Sequence, residues 1–355
     1  NLAEQYFLEC KNIIESKLGI KNRQFANLIS NLGSLYTRMN RLEEAKVLLI
    51  NALQIDSLIG NGRENVQYLE SLHNLGVVYE RLGLVSEAES MYLESMSLRE
   101  KIIGKNDLRY VENQQNLALF YWLTNRIVES KRLYLQSNEN QKKLLTNATY
   151  HLSEQELLLF NLKFLKNLDK FLSFSQIYND SKLTSACFND ILFYKSFLLT
   201  AKQQIGQLIY SDTNAVSKIN LLNSYYYRLS LEYSKPLSKR DSLNVILLED
   251  QANFLEKELV IKYARLSELK KEIIWEKVQE TLGPSEVAIE FFDYKLFTKN
   301  LTDSINYAAL VLLPNDTTPH FVPLFEEKEI NQLLSNSQSR RMDYVVDVYH
   351  SPNDR

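Results

Sequence analysis

Cysteine is nearly missing. Cys10 and Cys187 are the two in 355 residues, and no Cys-x-x-Cys pair occurs, which excludes a disulfide framework and a zinc ribbon. Glycine and proline are scarce at nine and six, against average usage of about 7% and 5%; a turn-rich sandwich or barrel is therefore not expected, and long helices are. Neither sign of charge dominates: 41 Lys and Arg face 44 Asp and Glu, for a net charge of -3. Without a basic excess, neither nucleic acid nor an anionic membrane is expected as a partner. No run approaches the roughly 18 to 20 uncharged apolar residues of a membrane-spanning helix, and a cytoplasmic location is expected. The start, Asn1-Leu2-Ala3-Glu4, carries neither an initiator Met nor a signal peptide's apolar core, so the sequence reads as a fragment cut at its N-terminus.

What the chain does have is repetition. Asn31-Leu32-Gly33-Ser34-Leu35-Tyr36 returns as Asn74-Leu75-Gly76-Val77-Val78-Tyr79 and as Asn116-Leu117-Ala118-Leu119-Phe120-Tyr121, at offsets of 43 and 42 residues. Nine residues after each tyrosine stands a small residue (Ala45, Ala88, Ser130), and four further on a large apolar one (Leu49, Tyr92, Tyr134). A bulky residue precedes the Leu-Gly pair by three in two units, as Ile29 and Leu72; Gln114 fills that slot in the third. These spacings predict helix pairs, with Gly33 and Gly76 at the closest approach of the two helices. One such pair cannot bury its apolar face alone, so the units should stack into a solenoid. Ala3-Glu4-Gln5-Tyr6-Phe7 matches Ala88-Glu89-Ser90-Met91-Tyr92, which makes residues 1–20 the second helix of a further unit.

The pattern resembles the tetratricopeptide repeat. Its period exceeds the usual 34 residues by roughly eight, as in the kinesin-light-chain type. In such an array one stripe of each first helix lines a concave groove: here Asn27, Asn31, Ser34 and Arg38, then Glu70, Asn74, Val77 and Arg81, then Glu112 and Asn116 with Leu119 and Leu123. Asparagines in that stripe can donate to and accept from the backbone of an extended peptide, so a protein or peptide partner is expected there. They can equally bridge neighbouring repeats, and the sequence leaves both roles open.

Beyond residue 140 the 42-residue period ends. Ser153-x-x-Glu156 is a capping box for a helix running toward Tyr178, and further helices are expected at about 184–210, 213–234, 241–265 and 268–282, the last stopped by Gly283-Pro284. Three strand-like runs follow, at 286–292, 307–313 and 320–324, then a short helix from Glu326 to Leu334. The expected domains are thus repeats over 1–140, a helical region over 151–283 and a new sheet-bearing domain over 285–355. Val287, Ile289 and Phe291 form the face expected to need a cover, with the helix carrying Ile274, Trp275 and Val278 folding back over it.

Leu192-Phe193-Tyr194-Lys195-Ser196-Phe197, Trp275-Glu276-Lys277-Val278-Gln279 with Glu286–Phe291, and Tyr307–Leu312 with Phe321–Phe325 resemble the approach to a CHAT domain. The resemblance implies a bacterial protein, mainly α, in which a tetratricopeptide superhelix and a helical bundle precede the first strands of an α/β caspase-like cysteine endopeptidase. Its His-Gly pair and Ser-Ala-Cys turn with a nearby glycine do not occur here. Ser185-Ala186-Cys187 is followed by Phe188-Asn189-Asp190 in helical surroundings and reads as structural, like Cys10. His73, His151, His320 and His350 include no pair at metal-ligand spacing, and no Gly-x-x-x-x-Gly-Lys or Gly-x-Gly-x-x-Gly phosphate cradle occurs. No catalytic residue, metal or cofactor is therefore expected in these residues. A regulatory interaction region is the leading reading, with a non-catalytic adaptor and a peptidase active in this chain as alternatives.

Overall fold

The computed structural model describes residues 2–59, 62–210, 213–263, 273–298 and 301–336. The chain divides into two units, Asn1–Gln141 and Lys142–Arg355. The first is built from α1 (Leu2–Leu18), α2 (Arg23–Arg38), α3 (Leu42–Leu58), α4 (Val66–Arg81), α5 (Val85–Ile102), α6 (Leu108–Leu123) and most of α7 (Ile127–Ala148). Three side chains start the first helix of each repeat by accepting from its opening turn: Asn22 from the Phe25 amide, Asn65 from Gln67 and Asp107 from Arg109. Each first helix ends in a left-handed residue, Asn40, Gly83 or Asn125, at φ of 61°, 75° and 62°. Those are residue types that tolerate this region. The next amide then turns back onto the repeat tyrosine's carbonyl: Arg41 on Tyr36, Leu84 on Tyr79, Arg126 on Tyr121.

Within each pair the small residues set the helix separation. A Cβ added at Gly33 would stand 2.9 Å from Leu49 Cγ, and one at Gly76 3.0 Å from the Tyr92 ring. Ala45 and Ala88 are fully buried at the same crossing, and Ser130, their counterpart in the third pair, donates to the Ala118 carbonyl at 2.8 Å. Gln114, in the slot held by Ile29 and Leu72, is buried too; it donates to Gln136 and accepts from Asn140. That third pair thus replaces an apolar contact by a satisfied polar one.

The second unit holds α8 (Glu154–Tyr178), α9 (Ser181–Tyr210), α10 (Thr213–Ser234), α11 (Ser242–Tyr263), α12 (Trp275–Gln279), β1 (Ala288–Phe297), β2 (Leu301–Leu312), β3 (His320–Glu326) and α13 (Glu327–Asn336). The Ser153 capping box is present with both of its hydrogen bonds. The strands form an antiparallel sheet in the order β1-β2-β3, pairing Phe291 with Ala309 and Ala309 with Val322. Along β1's outer edge, Lys295 N donates to Asp169 and Phe297 N to Ser173 of α8, so a helix satisfies that edge.

Two expectations change. Phe292, Tyr294 and Phe321 form the buried aromatic cluster of the sheet, whereas Val287, Ile289 and Phe291 are exposed, Phe291 at 61%. Of the helix expected at 268–282, the described part holds the single turn of α12; residues 264–272 lie outside the described residues. α12 does not cover Phe291: Trp275 donates its backbone N–H to Asn189 of α9, and Gln279 holds the β2–β3 turn through the Leu313 and Asp316 carbonyls. His350 also lies outside the described residues.

Candidate partner-binding face of the repeat array

The stripe assigned to the groove is divided between joints and open surface. Asn74 donates through Nδ2 to Ser34 Oγ of the preceding repeat at 2.8 Å, and beside it Ser30 and Ser71 share a buried hydroxyl contact at 2.8 Å. Arg81 reaches back to the Thr37 carbonyl at 2.9 Å. One repeat later, Asn116 Nδ2 donates to His73 Nε2 at 3.1 Å. With Nε2 accepting, Nδ1 carries the proton and donates to Asn113 Oδ1 at 3.3 Å; Asn113 Nδ2 passes on to Ser95 Oγ at 2.9 Å, and Ser95 to the Leu69 carbonyl. This relay needs a neutral imidazole. Burial, and then the guanidinium of Arg99, push the His73 pKa down to about 4, against the pull of Glu70 and the Asn113 hydrogen bond. Arg99 is itself buried and hydrogen-bonded to Glu70 and Ser95, which ties Glu70 of the stripe to the second helix of its own repeat.

Asn31, at the position of Asn74 and Asn116, is exposed, and its amide has no partner among the described residues. Arg38 is exposed at the end of the same helix; Asn27, half-buried one turn before Asn31, has an Oδ1 that is shut from solvent and accepts no hydrogen bond. Ser34 and Val77 are half-buried, and Arg81 and Glu112 are exposed.

Residues 24–101 and 67–143 each match the family model described as tetratricopeptide repeat. This part of the chain consists of tetratricopeptide repeats. Among the solved structures to which the chain is similar are BtubC (BKLC) from P. vanneervenii, at 18% identity and a TM-score of 0.41, covering 52% of this chain and 68% of that one, and nearly identical TPR-like repeats from Podosopora anserina described as kinesin light chain, at 15% and 0.31, covering 51% and 92%. No curated protein matches.

The tetratricopeptide array carries a second kind of tie, built on an arginine. Arg41 lies 3.9 Å over the Tyr36 ring and pairs with Glu44 and with Glu4 of α1. Arg126 lies 4.2 Å over Tyr121 and pairs with Glu129 and with Glu89 of α5. In the middle repeat both partners change together, to Leu84 and Lys46, and the polar ties across that junction are the Ser30–Ser71, Asn74–Ser34 and Arg81–Thr37 contacts.

Of the two cysteines, Cys10 is exposed on α1 and Cys187 is fully buried in α9. Burial pushes the Cys187 thiol up. A thiol in that state is a poor nucleophile. Among the described residues no group of three or more His, Cys, Asp or Glu is arranged to hold a metal ion, and no helix is long and apolar enough to cross a membrane.

Proposed function

We propose that this chain is a protein-interaction and regulatory region whose tetratricopeptide array holds an extended peptide segment of a partner protein along Asn27, Asn31, Ser34 and Arg38, continuing past Val77, Arg81 and Glu112. The observation that carries this reading is Asn31. Its counterparts Asn74 and Asn116 are consumed by joints, whereas its amide and the neighbouring Arg38 face solvent. An amide there can donate to and accept from a peptide backbone, and the guanidinium adds a preference for a carboxylate. To test it, peptides selected from a displayed random library on the whole chain are titrated calorimetrically against wild type, Asn31→Ala and Arg38→Ala. Each variant is expected to weaken binding about tenfold or more at an unchanged melting temperature. Selected peptides that bind both variants like wild type would overturn the assignment.

The family context of the proposal is a bacterial, cytoplasmic CHAT protein, with repeats over 1–140, a helical region over 151–283 and the start of the caspase-like domain over 285–355. The exposed Ile289 and Phe291 on a sheet whose other face is packed on helices support it, since an apolar sheet face calls for a second layer. On this reading the chain has no peptidase activity of its own: thiol-dependent peptide cleavage by it, abolished by Cys187→Ala, would refute that.

A further inference from the structure

The helix α11 is apolar on two opposite sides. Leu248, Ala252, Leu255 and Leu259 are buried, with Leu259 packed on Ala215 and Ile219 of α10. Asn253, Glu256 and Lys257 are engaged by the start of α8: Asn253 by Ser153, Glu256 by the Glu154 amide, Lys257 by Glu156. At about 100° per residue, Leu243, Leu247, Phe254 and Ile261 fall within about 40° of one another and opposite the buried row. They are 76%, 60%, 73% and 44% exposed, with Ile246 at 53% on the flank. Leu247, Phe254 and Ile261 recur every seven residues, the spacing of a seam between two helices.

We propose that this stripe pairs antiparallel with the same stripe of a second copy of the chain about a two-fold axis level with residue 252. Two observations select that occupant. The first is area: taking about 200 Å² for each fully exposed large apolar side chain, the five residues offer roughly 600 Å² per copy, so that two copies at full coverage reach about 1,200 Å², the low end of stable interfaces. The second is charge. The stripe is interrupted twice, by Asp250, exposed and without a partner among the described residues, and by Lys257, which keeps 39% of its side chain exposed beside Glu156. In a parallel pair these positions would meet their own kind, carboxylate on carboxylate and ammonium on ammonium. In the antiparallel pair Leu243 meets the partner's Ile261, Phe254 the partner's Asp250, and each Asp250 comes within one turn of the partner's Lys257. The two opposite-charge contacts then set direction and register. The symmetry is closed, so the stripe gives a dimer and not a fibre.

The test is sedimentation equilibrium of the whole chain from 1 to 200 µM, on wild type, Phe254→Asp, Asp250→Lys and Lys257→Glu, with circular dichroism confirming unchanged helix content. Wild type is expected to form a dimer of the 41.5 kDa chain, and Phe254→Asp to stay monomeric. Asp250→Lys and Lys257→Glu should each weaken self-association about tenfold or more, while an equimolar mixture of the two recovers near-wild-type affinity, because both opposite-charge contacts return in the mixed dimer. Three outcomes would overturn the proposal: a wild-type monomer throughout the range, a dimer indifferent to Phe254→Asp, or a mixture no tighter than its components.

Discussion

Acidification should loosen the junction between the second and third repeats through one residue. Neutral His73 accepts from Asn116 at Nε2 and donates to Asn113 at Nδ1; a second proton puts two donors face to face at Nε2, beside the buried Arg99 guanidinium. The folded pKa, pushed down to about 4, lies below the ordinary 6.5, so the unfolded chain binds the proton more readily. The stability that His73 contributes is therefore fully present above pH 6.5 and is lost as pH falls toward 4. At 1.36 kcal/mol per unit the whole difference is about 3 kcal/mol, of which about 2 kcal/mol is lost between pH 7.5 and 5.0. Other groups titrate in that interval, so the measurement is a difference: urea unfolding of wild type and of His73→Gln at both pH values. The glutamine variant, which has nothing to protonate, should show a pH-dependent loss smaller by about 2 kcal/mol. The imidazole resonances should independently show His73 still neutral at pH 5.0. A His73 that titrates near 6.5, or a glutamine variant with the wild-type pH dependence, would refute the reasoning.

Asn74→Ala removes the donor to Ser34 and is expected to cost about 1 kcal/mol in urea unfolding, while Asn31→Ala leaves stability unchanged; equal effects would mean the two asparagines play the same part. Gly33→Leu and Gly76→Leu should each destabilise by about 1 to 3 kcal/mol or more, because even a Cβ meets Leu49 or Tyr92 at 3.0 Å or less. Asp56 is buried with neither carboxylate oxygen hydrogen-bonded, and burial raises its pKa against the pull of Arg23. Its penalty grows as pH rises through that raised pKa, so Asp56→Asn should raise the melting temperature at pH 7 and lose the advantage at pH 3. A thiol reagent at pH 8 should modify Cys10 and spare Cys187 until denaturant is added, read as one equivalent and then two.

The periodicity of the first 140 residues was enough, by itself, to place the helix pairs and the small residues at their crossings, because each of these depends on residues within one repeat. The capping box at Ser153 was readable for the same local reason. What the asparagines do was not readable. Asn74 needs Ser34 and Asn116 needs His73, partners 40 and 43 residues away, and nothing in an asparagine's own neighbourhood separates a joint from an open amide. The face of β1 was likewise beyond the sequence. Ala288-Ile289-Glu290-Phe291-Phe292-Asp293-Tyr294 is apolar in both alternating sets, so period two leaves the inward side open. The tertiary structure decided it: α8 engages the strand's edge at Lys295 and Phe297 and takes Tyr294 onto Gln176, which turns Phe292 inward and leaves Phe291, its neighbour by one residue, in water.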